Sequence, residues 1–289
     1  MLARIFYFIS AYKEPESVIR LVNILDDEGL HYFYIHFDKQ TDPRLIDQWK
    51  ELIEKSCHTK NVKIVSEFIC KWASFGIVDA TLSAMKFCEN LDYDYFINLT
   101  GECYPVKSRS QIQQTFEKTN VAFLTYWKLP YDGWYQGGMN RVNNMYFSIP
   151  KRGYPYVRIF KIPRLRKKLP GNLQFYGGWS LMCLPKDIVS YLVSFTENNP
   201  KFKSFFKRVH APSEMYFQTI MLNSPFVDRI VNDNKRYLDF IDAHPRTITI
   251  KDFEMLKQGD YLFARKFNPK VDKKIMDRID EEIMGVPSS

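Results

Sequence analysis

The sequence predicts an α/β fold with a Rossmann-like, mostly parallel central sheet flanked by helices, and three observations predict it. Runs rich in β-branched and aromatic residues alternate with helical patterns over the first hundred residues, an order that builds βαβ units with right-handed crossovers. The helices carry start signals, Pro15 in one and Asp42-Pro43 in another, where a missing N–H costs nothing. The strands close on Asp38 and on Gly101, and a parallel sheet receives its ligand beyond such carboxyl ends.

In chain order, RIFYFISAY (Arg4 to Tyr12) reads as a buried strand, and SVIRLVNIL after Pro15 spaces its apolar residues as a helix does. HYFYIHFD (His31 to Asp38) is a second strand. DPRLIDQWKELIEK is a helix capped by Asp42, and NVKIVSEF a third strand. FGIVDATLSAMKFCENL makes a further helix and YDYFINLTG a fourth strand.

With 289 residues, 45% of them hydrophobic, the chain can bury a sizeable core and does not have the composition of a disordered protein. The first apolar run is about six residues, too short for a signal core or for the ~20 residues that span a bilayer, so a soluble chain is expected. Cys57, Cys70, Cys88, Cys103 and Cys183 are odd in number and scattered, which suggests neither a disulfide framework nor a zinc site, but reduced cytosolic thiols.

The net charge of +8 is one local feature, because residues 151–168 carry eight basic side chains and no acid. Interleaved with Tyr154, Tyr156, Ile159, Phe160 and Ile162 and broken by Pro155 and Pro163, the segment reads as an irregular basic-aromatic loop. It suits anionic lipid, a polyanion or a phosphorylated substrate, and equally a merely solvated surface. No nucleic-acid motif accompanies it, so nucleic acid is not an expected partner.

The carboxyl-end rule selects Ser10 to Lys13, Asp38 with Lys39, and Thr100 to Tyr104. No GxGxxG or GxxxxGK[ST] is present, which argues against dinucleotide dehydrogenases and P-loop enzymes. Asp92-Tyr93-Asp94 has the form of a metal-holding acid pair but precedes its strand, at the wrong end of the sheet. A diphosphate bound without a metal needs cationic side chains instead.

In the second half, NLQFYGGWSLMCLPKDIVSYLVSF reads as a Gly-Gly-Trp-Ser turn, a strand and a helix. Such a turn lets an indole face approach a ring-shaped ligand, or merely seats a core Trp. Glu214 falls at the start of a helix beginning after Pro212, where an ordinary first-turn carboxylate is the plain alternative to a functional one. A strand, a His-Pro turn, a short helix and a basic-aromatic element follow.

The strings WASFGIVDATLSAM, DYDYFINLTGECYP, YGGWS, PSEMYFQTIMLNSPF, HPRTIT and YLFARKF together resemble the core-2/I-branching enzymes, glycosyltransferase family 14, over about residues 4 to 275. The resemblance implies a GT-A-like fold and an inverting, metal-independent transfer from a UDP-sugar. It implies that Glu214 is the general base and that Arg246 and Lys266 hold the donor diphosphate. Asp38, Trp72 and Ala11 match positions beside the nucleoside. Tyr176, Trp179, Glu102 and Arg141 match the acceptor side. Two motifs depart from the family pattern: Gly101-Glu102-Cys103-Tyr104-Pro105 replaces G-x-D-Y-P, and Ser213-Glu214 replaces Asp-Glu.

On that basis residues 1–289 are expected to form one domain, with 1–105 the nucleotide-binding half and 106–289 the acceptor-binding and catalytic half. The expected reaction adds N-acetylglucosamine, β-linked, to a glycan hydroxyl, with no cofactor and no metal. Transfer of xylose or another sugar from UDP, or sugar or polyanion binding without turnover, are the alternatives. A Lys- and Asn-rich sequence of this kind looks bacterial and cytoplasmic. A lipid-linked acceptor and peripheral contact of 151–168 with the inner face of the membrane complete the expectation.

Overall fold

The computed structural model describes residues 2–117, 119–150, 157–163, 173–241 and 244–287. Strands β1 (Ile5–Ala11), β2 (Tyr32–Phe37), β3 (Val62–Val65) and β4 (Tyr95–Thr100) pair in parallel, with β1 between β2 and β4. The short β5 (Cys103–Pro105) follows, then β6 (Ala122–Lys128), the arm strands β7 (Asn144–Pro150) and β8 (Val157–Pro163), β9 (Tyr176–Pro185) and β10 (Ile230–Val231). One seven-stranded sheet results, in the order β10-β6-β9-β4-β1-β2-β3, so strands of both halves of the chain share it. Only β9 runs against its neighbours, β4 and β6. The mostly parallel α/β sheet is the one expected.

Both faces of the sheet are covered, which is why β1 reads as a continuous apolar run. Ile5, Tyr7 and Ile9 face one core with helices α1 (Pro15–Leu25), α2 (Pro43–Ser56), α4 (Arg109–Phe116), α9 (Phe253–Gln258) and α10 (Lys274–Ile279). Phe6 and Phe8 face the other, with α3 (Gly76–Cys88), α6 (Lys186–Asn198), α7 (Pro200–Phe206) and α8 (Tyr216–Met221). Asp42 caps α2 as its sequence predicts, accepting from the Arg44 N–H. A single turn, α5 (Asn140–Asn143), leads into the arm.

Pairing of β4 with the reversed β9 stops at Ile97 opposite Cys183, and side chains continue the seam. Asn98 donates from Nδ2 to the Ser180 carbonyl and accepts from the Met182 N–H, both at 2.6 Å. Buried Arg236 donates to the Asn98 carbonyl at 2.9 Å and to Cys183 Sγ at 2.9 Å. Its strand, β11 (Arg236–Leu238), joins β14 (Phe263–Arg265) and β5 in a small three-stranded sheet. Between them β12 (Phe240–Ile241) and β13 (His244–Pro245) form a two-residue ladder.

Three local expectations are corrected. YGGWS is the first half of β9, not a turn: the glycines are needed because a Cβ on Gly178 would lie 1.9 Å from the Thr125 carbonyl oxygen, at the β6 bulge, and one on Gly177 would lie 2.4 Å from the Trp134 ring. Within 151–168, residues 157–163 are not irregular but form β8, paired with β7; the rest of the segment lies outside the described residues. The His-Pro turn is strand β13.

Candidate active site

The carboxyl ends of β1, β2 and β4 meet. The Asp38 N–H donates to the Ala11 carbonyl at 3.1 Å, and the Gly101 N–H to the Ser10 carbonyl at 2.9 Å. The Asp38 carboxylate is buried and accepts the N–H groups of Gln40 and Cys70, both at 2.8 Å. It thereby ties the end of β2 to the loop that carries Trp72. Glu102 follows β4, and its carboxylate lies 3.2 Å from Lys13 Nζ and 3.5 Å from Arg265. Burial opposes the charge on Lys13, but hydrogen bonds to Tyr12 and Glu102 outweigh it and raise its pKa.

The two cations assigned to the diphosphate come from adjacent backbone. The Lys266 N–H donates to the Arg246 carbonyl at 3.5 Å, and the Ile248 N–H to the Lys266 carbonyl at 2.9 Å. Phe267 N–H reaches the Glu102 carbonyl at 2.9 Å, which brings this ladder to the end of β4. The Arg246 guanidinium is gripped by two carboxylates, Asp252 at 2.8 and 2.6 Å and Asp239 through Nε, with a longer contact to the Thr247 carbonyl. Four of its five N–H groups are thus engaged. Hydrogen bonding to Arg246 holds the Asp252 carboxyl below its usual range. The Lys266 ammonium has no hydrogen-bonded or ion-paired partner among the described residues.

Glu214 lies in a single 3₁₀ turn (Pro212–Glu214) ahead of α8, not in the helix itself. Its Oε2 accepts from Arg141 Nη1 at 2.5 Å, and a quarter of the carboxylate side chain is open to solvent. Arg141 in turn lies over the Trp134 ring at 3.8 Å, a cation–π contact that fixes a planar guanidinium. His210 adjoins this pair, its N–H donating to the Arg141 carbonyl at 3.5 Å, and its ring meets Trp72 edge-on at 5.3 Å. Burial and the Arg141 charge push the His210 pKa down to about 4.

An aromatic wall links Glu214 to the cation side. Trp134 meets Trp127 at 5.6 Å, Trp127 stacks on Tyr131 at 4.9 Å and meets Trp179 at 6.3 Å, and Trp179 packs on Phe240 at 5.6 Å. Phe240 follows Asp239, the partner of Arg246. Tyr176 sits on the same strand as Trp179, against Tyr126. Because β9 runs antiparallel, its first residues lie at the carboxyl end of β6, with Trp127 opposite Gly177. Aromatic faces bounding a carboxylate suit the apolar face of a sugar ring.

The sequence-assigned residues therefore fall into three groups. Asp38, Ala11 and Glu102 share the strand ends, Arg246 and Lys266 share one ladder, and Glu214, Arg141, Trp72, Tyr176 and Trp179 line the rest. Glu102, assigned to the acceptor side, has its carboxylate beside Lys13 and Arg265. Sequence reasoning missed Trp127, Tyr131, Trp134, Asp239 and Asp252. The aromatic-rich stretch YWKLPYDGWYQGG, with its Pro and Gly punctuation, is the signal that could have flagged the first three. Asp92 and Asp94 sit at the amino ends of the strands, bonded to the Arg4 side chain and N–H.

A carboxylate, two cations and aromatic walls toward the carboxyl edge of an α/β sheet make up the candidate site. The family model described as Core-2/I-Branching enzyme matches residues 5–259, and the chain belongs to that family. It is 25% identical over 321 residues to xylosyltransferase 2 of Rattus norvegicus, covering 98% of this chain and 34% of that protein. It is likewise 25% identical over 284 residues to xylosyltransferase 1 of Homo sapiens, covering 88% of this chain and 28% of that protein. The chain thus spans about a third of the length of these relatives. Among solved structures, the inositol-1-phosphate CTP transferase from T. maritima aligns with a TM-score of 0.40 at 11% identity, over 96% of this chain and 97% of that one.

Proposed function

We propose that this chain is an inverting glycosyltransferase that moves a sugar from a UDP donor to a glycan hydroxyl without a metal. One observation carries the reading: a partly exposed carboxylate, Glu214, is fixed by Arg141 and joined through the aromatic wall to a ladder carrying Lys266 and Arg246. Glu214 takes the proton of the acceptor hydroxyl as its oxygen bonds to the anomeric carbon. The bond from that carbon to the diphosphate breaks, and UDP leaves with the electron pair. Lys266 and the remaining Arg246 N–H meet that developing charge, as preorganised donors do.

Ala11, Asp38 and Trp72 form the nucleoside end, and Tyr176 and Trp179 the acceptor wall, in this reading. N-acetylglucosamine is the donor sugar of the main reading. The names of the two relatives favour a second, UDP-xylose. Transfer assays across a panel of UDP-sugars, with and without excess chelator, test both. Turnover with one UDP-sugar, undiminished by chelator, is the expected result; strict dependence on a divalent cation or on another nucleotide overturns it. The acceptor of this reading is a glycan on a lipid carrier at the inner membrane face.

A further inference from the structure

We infer that the β7–β8 arm is a membrane-docking element that sets one apolar face on an anionic bilayer. The arm stands apart from the central sheet as its own two-stranded ladder. Its register places Met145 opposite Ile162 and Phe147 opposite Phe160, so these positions share one face with Ile149, two residues on from Phe147. On the other face Tyr146 is buried, and Ile159 packs on Ala73 and Ala211. The first face looks outward: Ile149 is 52% exposed, Phe160 43% and Ile162 37%. Large apolar side chains placed outward together in a chain otherwise able to bury them mark a contact surface.

Charge selects the occupant. The arm lies within and beside 151–168, which holds the whole net excess of positive charge. At its root, the Tyr146 N–H donates to the Arg208 carbonyl at 2.9 Å, and the Arg208 guanidinium covers Phe147 at 4.4 Å. Arg208 also lines a cavity of about 400 Å³ with Lys39 and Lys207 and with two acids, Glu67 and Asp79. Among the described residues none of these three cations has a carboxylate partner, whereas the two lining acids are engaged elsewhere, Asp79 by Lys203 at 2.8 Å and Glu67 by the Ser83 hydroxyl at 3.2 Å. Apolar side chains flanked by unneutralised lysine and arginine fit the interface of an anionic membrane, the cavity seating a phosphate headgroup. A protein partner of ordinary surface chemistry would not need that cationic surplus.

The test is co-sedimentation of the full chain with vesicles of phosphatidylcholine alone and of phosphatidylcholine mixed with phosphatidylglycerol. The expected result is at least about tenfold stronger binding to the anionic vesicles, weakened by salt. Ile149→Asp with Ile162→Asp should abolish it, and Lys207→Ala with Arg208→Ala should remove the lipid preference. Equal binding to both vesicles, or unchanged binding by the variants, overturns the inference. So does a thermal response to inorganic phosphate, lost in the Lys207/Arg208 variant, without vesicle binding, since the cavity would then serve a soluble anion. The thermal shift with UDP is read in parallel. Its retention shows that the variants fold, and its absence in the wild type counts against the transferase reading alone.

Discussion

Arg141 and Glu214 form an ion pair of 2.5 Å, and the same guanidinium lies over the Trp134 ring at 3.8 Å. The pair occupies one carboxylate oxygen and leaves Oε1 with no partner among the described residues. A base that must meet one hydroxyl in one direction gains from such fixing, because misplacement by about 1 Å can cost ~10²-fold. Arg141→Ala is therefore expected to lower kcat by about 10- to 100-fold with UDP affinity unchanged. A matching loss of UDP binding, read by calorimetry, would show that Arg141 serves the donor instead.

Lys266 and Arg246 should separate by stability. Both Lys266→Ala and Arg246→Ala weaken UDP binding in this account. Only the arginine variant also leaves Asp239 and Asp252 without their partner, at a cost of about 1 kcal/mol once solvent screening of these partly exposed groups is allowed for. Thermal melts of the unliganded variants check this: a lower midpoint for Arg246→Ala and none for Lys266→Ala.

Acid should weaken the fold through histidine. His36 is fully buried, and its Nε2 accepts the N–H groups of Glu67 and Phe68 at 3.2 and 3.0 Å. Burial pushes its pKa down to about 4, as it does for His31. The unfolded chain takes up these protons near pH 6.5 and the folded chain only near 4. Stability is then complete above pH 6.5 and falls as pH drops toward 4, by up to about 3 kcal/mol for each buried histidine. Urea midpoints at pH 7 and 5 measure the fall, and a flat profile contradicts it.

Gly178→Ala forces a Cβ to within 1.9 Å of the Thr125 carbonyl oxygen. Backbone must move, so a loss of about 1–3 kcal/mol is expected, with Tyr176 and Trp179 displaced. A variant as stable as the wild type would show that the β6 bulge yields freely.

The sheet was legible because its signals are local: apolar runs, the Asp42 cap and alternating periods all act within a dozen residues. The functional strings were legible as a family resemblance, which supplied Glu214, Arg246 and Lys266. What stayed hidden depends on pairings that no periodicity or cap signal encodes. Nothing near Arg246 announces that Asp252 and Asp239 will grip it, since the ladder between residues 239 and 246 forms only in the fold. YGGWS reads as a turn because the reason for its glycines, Thr125 and Trp134, lies some fifty residues away in sequence. The aromatic stretch around Trp134 is visible in the sequence, but its contact with Arg141 arises only when the tight loop between them folds.

The most direct measurement compares Glu214→Gln with the wild type for both transfer and UDP binding. Removing only the proton acceptor should leave the UDP-induced thermal shift intact and cut transfer by ~10²- to 10⁴-fold. A Glu214→Gln enzyme with full turnover would mean that the carboxylate beside Arg141 is not the base.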